Sequence, residues 1–376
     1  MLLASVMGRA TVAGKEEAPM TLILSNDDVG KLLTMRDCID CLEDAYRELA
    51  HGRGISRTRS DSVAPTTRED ALYSLKSMDG VVPSLGVGAV RINSDIITWP
   101  KVGNSMRRVK SPAAPGGRYT GLVLLFSSET GEPLAIMPDG VMQRIRVGAA
   151  NGLGVKYMAR EDAKSIGILG SGWQAGTQLT AVCAVRKIES IRCFSPTKEN
   201  REKFCAEMTA ELGIEVTPVD SAESAMAGAD IAMCSTNTVD NVFFEQWLEP
   251  GMHLSSIKRP EIEERAIARC DRVVLHTNDG KPMLFATRDL DVPEHGEERG
   301  WGLSAGLDFA SLPTLPQLIA GEVIGRTSPA ETTCFLNNLG LGYQFAVAGA
   351  VVYRKAREQG IGHDLPTDWF TEDVHP

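Results

Sequence analysis

The stretch Ser165–Gly176 carries the most specific chemistry in the sequence. Gly170, Ser171, Gly172, Trp173, Gln174 and Ala175 form a Gly-x-Gly-x-x-Ala turn. It follows a short apolar run (165–169) that reads as a buried strand. It opens a helix-spaced run, Trp173 onward, with Gln178, Leu179, Val182 and Val185 in step. Strand, glycine turn and helix are the parts that seat a dinucleotide pyrophosphate. The first glycine makes the turn tight, and the second lets the backbone approach the phosphates. The small third residue lets helix and strand pack closely. The free N–H groups and positive dipole end of the helix then face the anion.

A second anion-seeking feature precedes it. Arg144 and Arg146 open a helical run, Val147–Ala159, rich in Ala and Gly. Guanidinium groups at the start of a tightly packed helix are costly unless they face solvent or meet an anion. That anion is either structural, with Asp139 or Glu132 as candidate partners, or a substrate carboxylate. Further basic side chains lie upstream. Arg53, Arg57, Arg59 and Arg68 sit in a polar run that is either a solvated face or contains a strand aiming one guanidinium inward. Lys76 lies in an alternating run (71–78), and Arg91 and Asn93 lie in another (87–97).

The second nucleotide-fold strand should choose the cofactor. An acidic residue at its end would bind a ribose diol. The strand Ile188–Ser195 ends instead in Ser195, Pro196, Thr197 and Lys198, with no acid before Glu199. Hydroxyls and a lysine there suit a 2′-phosphate, which favours NADP over NAD. Ser235, Thr236 and Asn237, at the end of a later strand, should line the same crevice, as should the loop after Ile257.

These groups need an α/β frame. Strand and helix patterns alternate from Ser165 to Thr277, as a doubly wound sheet requires. Before it, residues 21–33 read as a strand and turn, and Thr34 and Asp37 mark the start of a helix reaching about Gly52. Leu122–Phe126 and Leu134–Met137 read as a hairpin, and Trp99–Gly117 as a surface loop. Thr332–Arg354 reads as one final helix returning to the first domain. The 376 residues suffice for two domains. Residues 1–19 read as a disordered leader. The net charge of −10 argues against a nucleic-acid surface, and no apolar run reaches the ~18 residues of a membrane span. The eight cysteines lack scaffold or metal spacing, which suits a reducing cytoplasm and no metal site. Cys38-x-x-Cys41 falls inside a helix with no partner motif.

Several motifs, in order, resemble the ornithine cyclodeaminase/mu-crystallin family from about Thr21 to Arg357. They are Gly131-Glu-Pro-Leu-Ala-Ile-Met-Pro-Asp139-Gly140, the Arg146–Arg160 run, Ile168-Leu-Gly-Ser-Gly-Trp-Gln174-Ala175, Thr197–Phe204 and Glu249-Pro-Gly-Met-His253. The resemblance implies a Rossmann-type doubly wound nucleotide-binding domain inserted into an α+β substrate and dimerisation domain built from both chain ends. The division expected is 20–145 plus 331–376 around 146–330, in a homodimer. It implies action at the Cα–N bond of an amino acid or imino acid, whose carboxylate is gripped by Arg146, Arg91 and Arg59, with Arg57 the alternative to Arg59.

Departures from the family pattern bear on the activity. The aspartate that serves amine chemistry in the cyclodeaminases is absent around Lys258–Glu261. The acidic pair of the last helix is replaced around Tyr343-Gln344-Phe345. Both weigh against ornithine cyclisation and leave hydride transfer intact, because the nicotinamide supplies it. The leading expectation is an NAD(P)-dependent imine reductase or amino-acid dehydrogenase, with Lys76 or a water as proton donor. An ornithine cyclodeaminase using catalytic NAD and a non-catalytic NADPH-binding protein are the alternatives.

Overall fold

The structure is a computed structural model describing residues 19–102, 105–106, 109–238, 240–258, 261–278, 282–288, 290 and 307–373; the expected leader lies almost wholly outside them. The chain begins β1 (Met20–Ile23), α1 (Asn26–Leu32), α2 (Met35–Ala50), β2 (Ile55–Ser56), β3 (Ser60–Pro65), β4 (Ala71–Val82) and β5 (Val87–Thr98). Short strands β6 (Lys101–Val102), β7 (Ser105–Met106) and β8 (Val109–Ser111) follow, then β9 (Thr120–Ser127), β10 (Pro133–Pro138) and α3 (Gly140–Met158). The next stretch alternates β11 (Ser165–Leu169), α4 (Trp173–Val185), β12 (Ser190–Phe194), α5 (Lys198–Leu212), β13 (Val216–Pro218), α6 (Ala222–Met226), β14 (Ile231–Cys234), β15 (His253–Ser256), α7 (Glu264–Arg269) and β16 (Arg272–Leu275). Last come β17 (Met283–Ala286), α8 (Leu315–Ala320), β18 (Thr333–Leu336), α9 (Gly342–Gln359) and β19 (His363–Pro366).

Two large sheets organise these elements, and β6 and β7 pair apart from both. One is mixed and follows the order β17-β3-β4-β5-β9-β10-β1-β19, with β2 and β8 joined to β4 and β5. The other follows β13-β12-β11-β14-β15-β18-β16, and every pairing in it is parallel. The strand order turns between β11 and β14, so the crevice for a ligand opens at their carboxyl ends. Among the described residues no helix is long and apolar enough to cross a membrane.

Local chemistry explains the elements that carry the site. Capping boxes Ser25/Asp28 and Thr34/Asp37 start α1 and α2. On α2 the stripe Cys38, Ile39, Leu42, Ala45 and Tyr46 is buried against α3, α8 and α9. The Cys38-x-x-Cys41 pair is part of that packing: Cys38 is buried and its thiol is pushed up by desolvation. Helix α3 is rich in small residues because it lies against α4. A Cβ on Gly148 would sit 2.6 Å from the Thr177 carbonyl oxygen.

The structure corrects several expectations. Residues 26–32 form a capped helix rather than a turn, and three short strands occupy the 99–117 segment. Thr332–Arg354 is not one helix: Thr333–Leu336 is a fully buried strand between β15 and β16 of the parallel sheet, and α9 begins at Gly342. A continuous buried apolar run satisfies either period, and the Asn337-Asn338-Leu339-Gly340 turn separates the two elements. The parallel sheet therefore extends past residue 330, while β17 joins the mixed sheet through β3.

Candidate active site

The fingerprint sits where the strand order turns. Gly170 leaves β11 with φ +111°, and a Cβ there would lie 2.1 Å from the Ser235 carbonyl oxygen. Only glycine fits that approach, so the β11 and β14 ends meet over one crevice. Gly172 caps α4 without a side-chain bond, and a Cβ on it would meet nothing within 4 Å. The space in front of Gly172 is thus open, while the Ala175 amide closes the first turn on the Gly172 carbonyl (3.0 Å). Buried Gln174 Oε1 and Ser235 Oγ have no hydrogen-bond partner. A dinucleotide fits this cradle: the Ser235 hydroxyl can donate to a phosphate oxygen, and Gln174 Oε1 can accept from a hydroxyl or amide of the ligand. Trp173 is 56% exposed at its rim, with the Arg144 guanidinium 5.4 Å from the ring centre.

At the end of β12, Ser195, Pro196, Thr197 and Lys198 form the turn into α5. Thr197 caps that helix with its hydroxyl unused, and Lys198 is exposed beside Glu202 at 3.7 Å. Arg201, which the sequence reading passed over, is buried over Phe194 and donates to the Ser195 carbonyl (2.8 Å). On β14's end, Ser235 is buried and Asn237 is exposed. Thr236 is tied by its N–H (2.5 Å) and hydroxyl (2.7 Å) to Glu261. The other Glu261 oxygen accepts from Ser256 (2.7 Å), so this carboxylate joins the β14 and β15 loops. Burial pushes its carboxyl up, against the pull of those donors.

The mixed sheet presents its charged face in registered rows. Asp61, Lys76, Asn93 and Gly121 are successive cross-strand partners, and Asp139 N–H bonds to Gly121 O (3.0 Å). Two residues along, Met78, Arg91 and Val123 form the next row. Lys76 is only 7% exposed in the middle of this face. The guanidinium of Arg91 donates to Asp139 Oδ2 (2.7 Å), which also accepts from Asn93 (3.1 Å). Arg59 forms a two-pronged pair with Asp61, both contacts 2.8 Å. Arg57 is exposed beside Asp79, away from this face.

Arg146 differs from both. It is 4% exposed in the second turn of α3, and its nitrogens reach only amides. Nε (3.2 Å) and Nη2 (2.6 Å) donate to Gln143 Oε1, and Nη1 (2.8 Å) to Gln344 Oε1. Among the described residues it makes no ion pair. The structural pairing with Asp139 or Glu132 left open by the sequence is not formed; Asp139 serves Arg91 instead. Desolvation, with Arg91 nearby, lowers its pKa to about 9. Phe345 lies between the two cations, 5.0 Å from Arg146 and 5.3 Å from Arg91.

The sequence reading missed the amide cradle and its support. Gln143 stands three residues before Arg146, a helical spacing that was legible. Behind Gln344, Tyr46 Oη and His276 Nε2 are 2.6 Å apart, and His276 Nδ1 donates to the Leu339 carbonyl. His276 is therefore neutral, its pKa lowered to about 4 by burial; His253 is lowered to about 3 by the same cause. Their folded pKa values lie below the ordinary 6.5, so the stability they contribute is present above pH ~6.5 and is lost as pH falls towards the folded values. Each should cost about 1.4 kcal/mol per pH unit in that window. Melting temperatures of the parent should fall on going from about pH 7 to 5, and His276→Gln should show a smaller fall. An equal fall would remove His276 from the acid response.

Comparisons with other proteins identify the family. A family model, ornithine cyclodeaminase/mu-crystallin family, matches residues 20–360. A Δ(1)-pyrroline-2-carboxylate reductase of Bacillus cereus is 30% identical, covering 92% of this chain and 99% of that protein. The alanine dehydrogenase of Archaeoglobus fulgidus is 27% identical over 92% of this chain and 98% of its own. The solved Thermococcus litoralis Δ(1)-pyrroline-2-carboxylate reductase, in complex with NADH and L-proline, superposes with a TM-score of 0.74. It is 26% identical, with 92% of this chain and 100% of that one covered. The chain belongs to the ornithine cyclodeaminase/mu-crystallin family.

Proposed function

We propose that the protein is an NAD(P)-dependent oxidoreductase that reduces the C=N bond of an imino acid, or oxidises the corresponding amino acid, at Cα. The observation that carries this reading is Arg146. A buried guanidinium held by neutral amides, with no carboxylate of its own, is stabilised by an incoming anion. It lies two residues before Gly148, where α3 packs against Thr177 of α4.

Bound nicotinamide supplies the hydride or accepts it. The chain's own residues do the rest. Arg146 takes the substrate carboxylate as a planar fork, with Arg91 adding charge across Phe345. Arg59, held by Asp61, completes the basic face. Lys76, one row from Arg91, holds a proton for the substrate nitrogen. Gly170–Ala175 seats the pyrophosphate, and Ser235, Thr236 and Asn237 wall the nicotinamide end. We divide the chain accordingly into a dinucleotide-binding part around the parallel sheet and a substrate part around the mixed sheet.

The test is reduction of Δ(1)-pyrroline-2-carboxylate, with a panel of 2-oxo acids plus amines, followed by NAD(P)H loss. Ammonia released from L-ornithine without added reduced cofactor would replace this reading with a cyclodeaminase. Tight NADPH binding with no turnover on the whole panel would leave only a binding protein.

The absent acid at the end of β12, with Ser195, Thr197, Lys198 and Arg201 grouped there, supports NADP over NAD. NADPH is expected to bind more tightly than NADH in parallel titrations; the reverse order would remove that preference.

A homodimer is supported by the other face of the mixed sheet. Val90 and Ile92 on β5 stand opposite Leu124 and Leu122 on β9, all at least partly exposed. An apolar sheet face of this kind calls for a partner. Light scattering should give a dimer for the parent and a monomer for Leu124→Glu. A parent that is monomeric at micromolar concentration would contradict it. The scattered, unpaired cysteines, all eight of them free, support a reducing cytoplasmic setting.

A further inference from the structure

One polar pair on the charged sheet face is used by nothing described above. Ser74 on β4 and Asp95 on β5 are direct cross-strand partners, one row beyond Lys76 and Asn93. They are 1% and 3% exposed. The Ser74 hydroxyl and both Asp95 carboxylate oxygens lack any hydrogen-bond partner. The counter-charge is Lys110 on β8, whose Nζ lies 2.8 Å from Asp95 Oδ2 but out of hydrogen-bond alignment. That lysine side chain is 37% exposed, on a strand three residues long. A nearly enclosed carboxylate with unused acceptor capacity is costly unless a donor reaches it.

Building on the reading of Arg146 as the carboxylate anchor, we infer that Asp95 and Ser74 form a subsite for the end of the substrate remote from its carboxylate. That end carries a hydrogen-bond donor, an ammonium or a hydroxyl. An ionised carboxylate only accepts, so the ligand must donate, and a second carboxylate on the substrate is repelled. The sheet sets the direction. Asp139 Oδ2 accepts from both Arg91 and Asn93, so the Arg91 guanidinium lies over the Asn93 row. The Asp95 row is two residues further, about 7 Å along the strand. A substrate held by its carboxylate on the basic face directs its far end along this strand towards Asp95. Lys110 is the cation that an incoming donor displaces towards solvent.

The experiment is calorimetric titration of the full-length protein, saturated with NADP⁺, with L-norvaline, L-5-hydroxynorvaline and L-ornithine. The three share a five-carbon chain and differ at its end. The two donors should bind about 10- to 100-fold more tightly than norvaline, the range for a hydrogen bond to a charged group. Ornithine ahead of hydroxynorvaline identifies an ammonium, and the reverse identifies a hydroxyl. Asp95→Asn should erase the preference and leave norvaline and NADP⁺ affinities as they were. Lys110→Met should tighten ornithine and leave norvaline unchanged. If norvaline binds as well as the other two, the subsite is overturned while the Arg146 reading stands. If Asp95→Asn weakens all three equally and lowers the melting temperature, Asp95 is structural and the inference fails. If none of the three binds, the carboxylate reading fails and the subsite falls with it.

Discussion

Arg146→Lys is expected to cost carboxylate substrates about 2–4 kcal/mol of transition-state binding, roughly 30- to 1000-fold in kcat/KM. The melting temperature and NADPH affinity should stay close to the parent's. A lysine keeps the charge but not the fork, and its shorter set of donors cannot reach Gln143, Gln344 and a ligand together. The surroundings of Arg146 sharpen the expectation: its partners are amide oxygens, so no internal ion pair is broken by the change. Gln344→Glu is the companion variant. It places a carboxylate at the position that now lies 2.8 Å from Arg146 Nη1, giving the guanidinium an internal anion. Substrate affinity should fall there, with some loss of stability because the Gln344 Nε2 bond to the Arg146 carbonyl (3.2 Å) is given up. A lysine variant that melts early yet turns over normally would show that Arg146 is structural, and would remove most of the case for an imino-acid substrate.

Gly172→Val should abolish dinucleotide binding while the protein still folds. The backbone at Gly172 has φ −86°, which any residue adopts, and a Cβ there meets no protein atom within 4 Å. The added side chain therefore projects into the space the pyrophosphate needs and strains nothing else. Loss of NADPH fluorescence change on titration, with an unchanged circular dichroism melt, is the expected pair of results. Undiminished NADPH binding would show that the fingerprint is only a turn. Gly170→Val is the informative contrast: its Cβ would lie 2.1 Å from the Ser235 carbonyl oxygen, so that variant should lose folding stability as well.

Both variants rest on features legible in the sequence to different degrees. The fingerprint was readable because strand, glycine turn and helix are local, and each residue type has one reason to be there. The sheet of alternating strands was readable for the same reason. Strand β18 was not, because Thr333–Leu336 is buried on all sides and a fully apolar run shows no period. The capped helix α1 was missed because a helix of only seven residues competes poorly with a strand reading beside β1. Arg59, Arg91 and Arg146 are expected from the sequence as one basic group, but their surroundings differ. That Asp139 serves Arg91 and amides serve Arg146 depends on the register of β4, β5 and β9 and on the entry of α9, none of which a linear pattern contains. The Asp61–Lys76–Asn93 row follows from pairing residues on three strands, which only the fold supplies.

The most direct measurement is isotopic. NADPH deuterated at its hydride-donating carbon, or the matching NADH if that is preferred, is turned over with Δ(1)-pyrroline-2-carboxylate, and the product is analysed by mass spectrometry and NMR. Hydride transfer across a site built on Arg146 and the fingerprint requires one deuterium on the product's Cα, delivered to a single face. Product with no deuterium at Cα from cofactor deuterated at both positions of that carbon would contradict it.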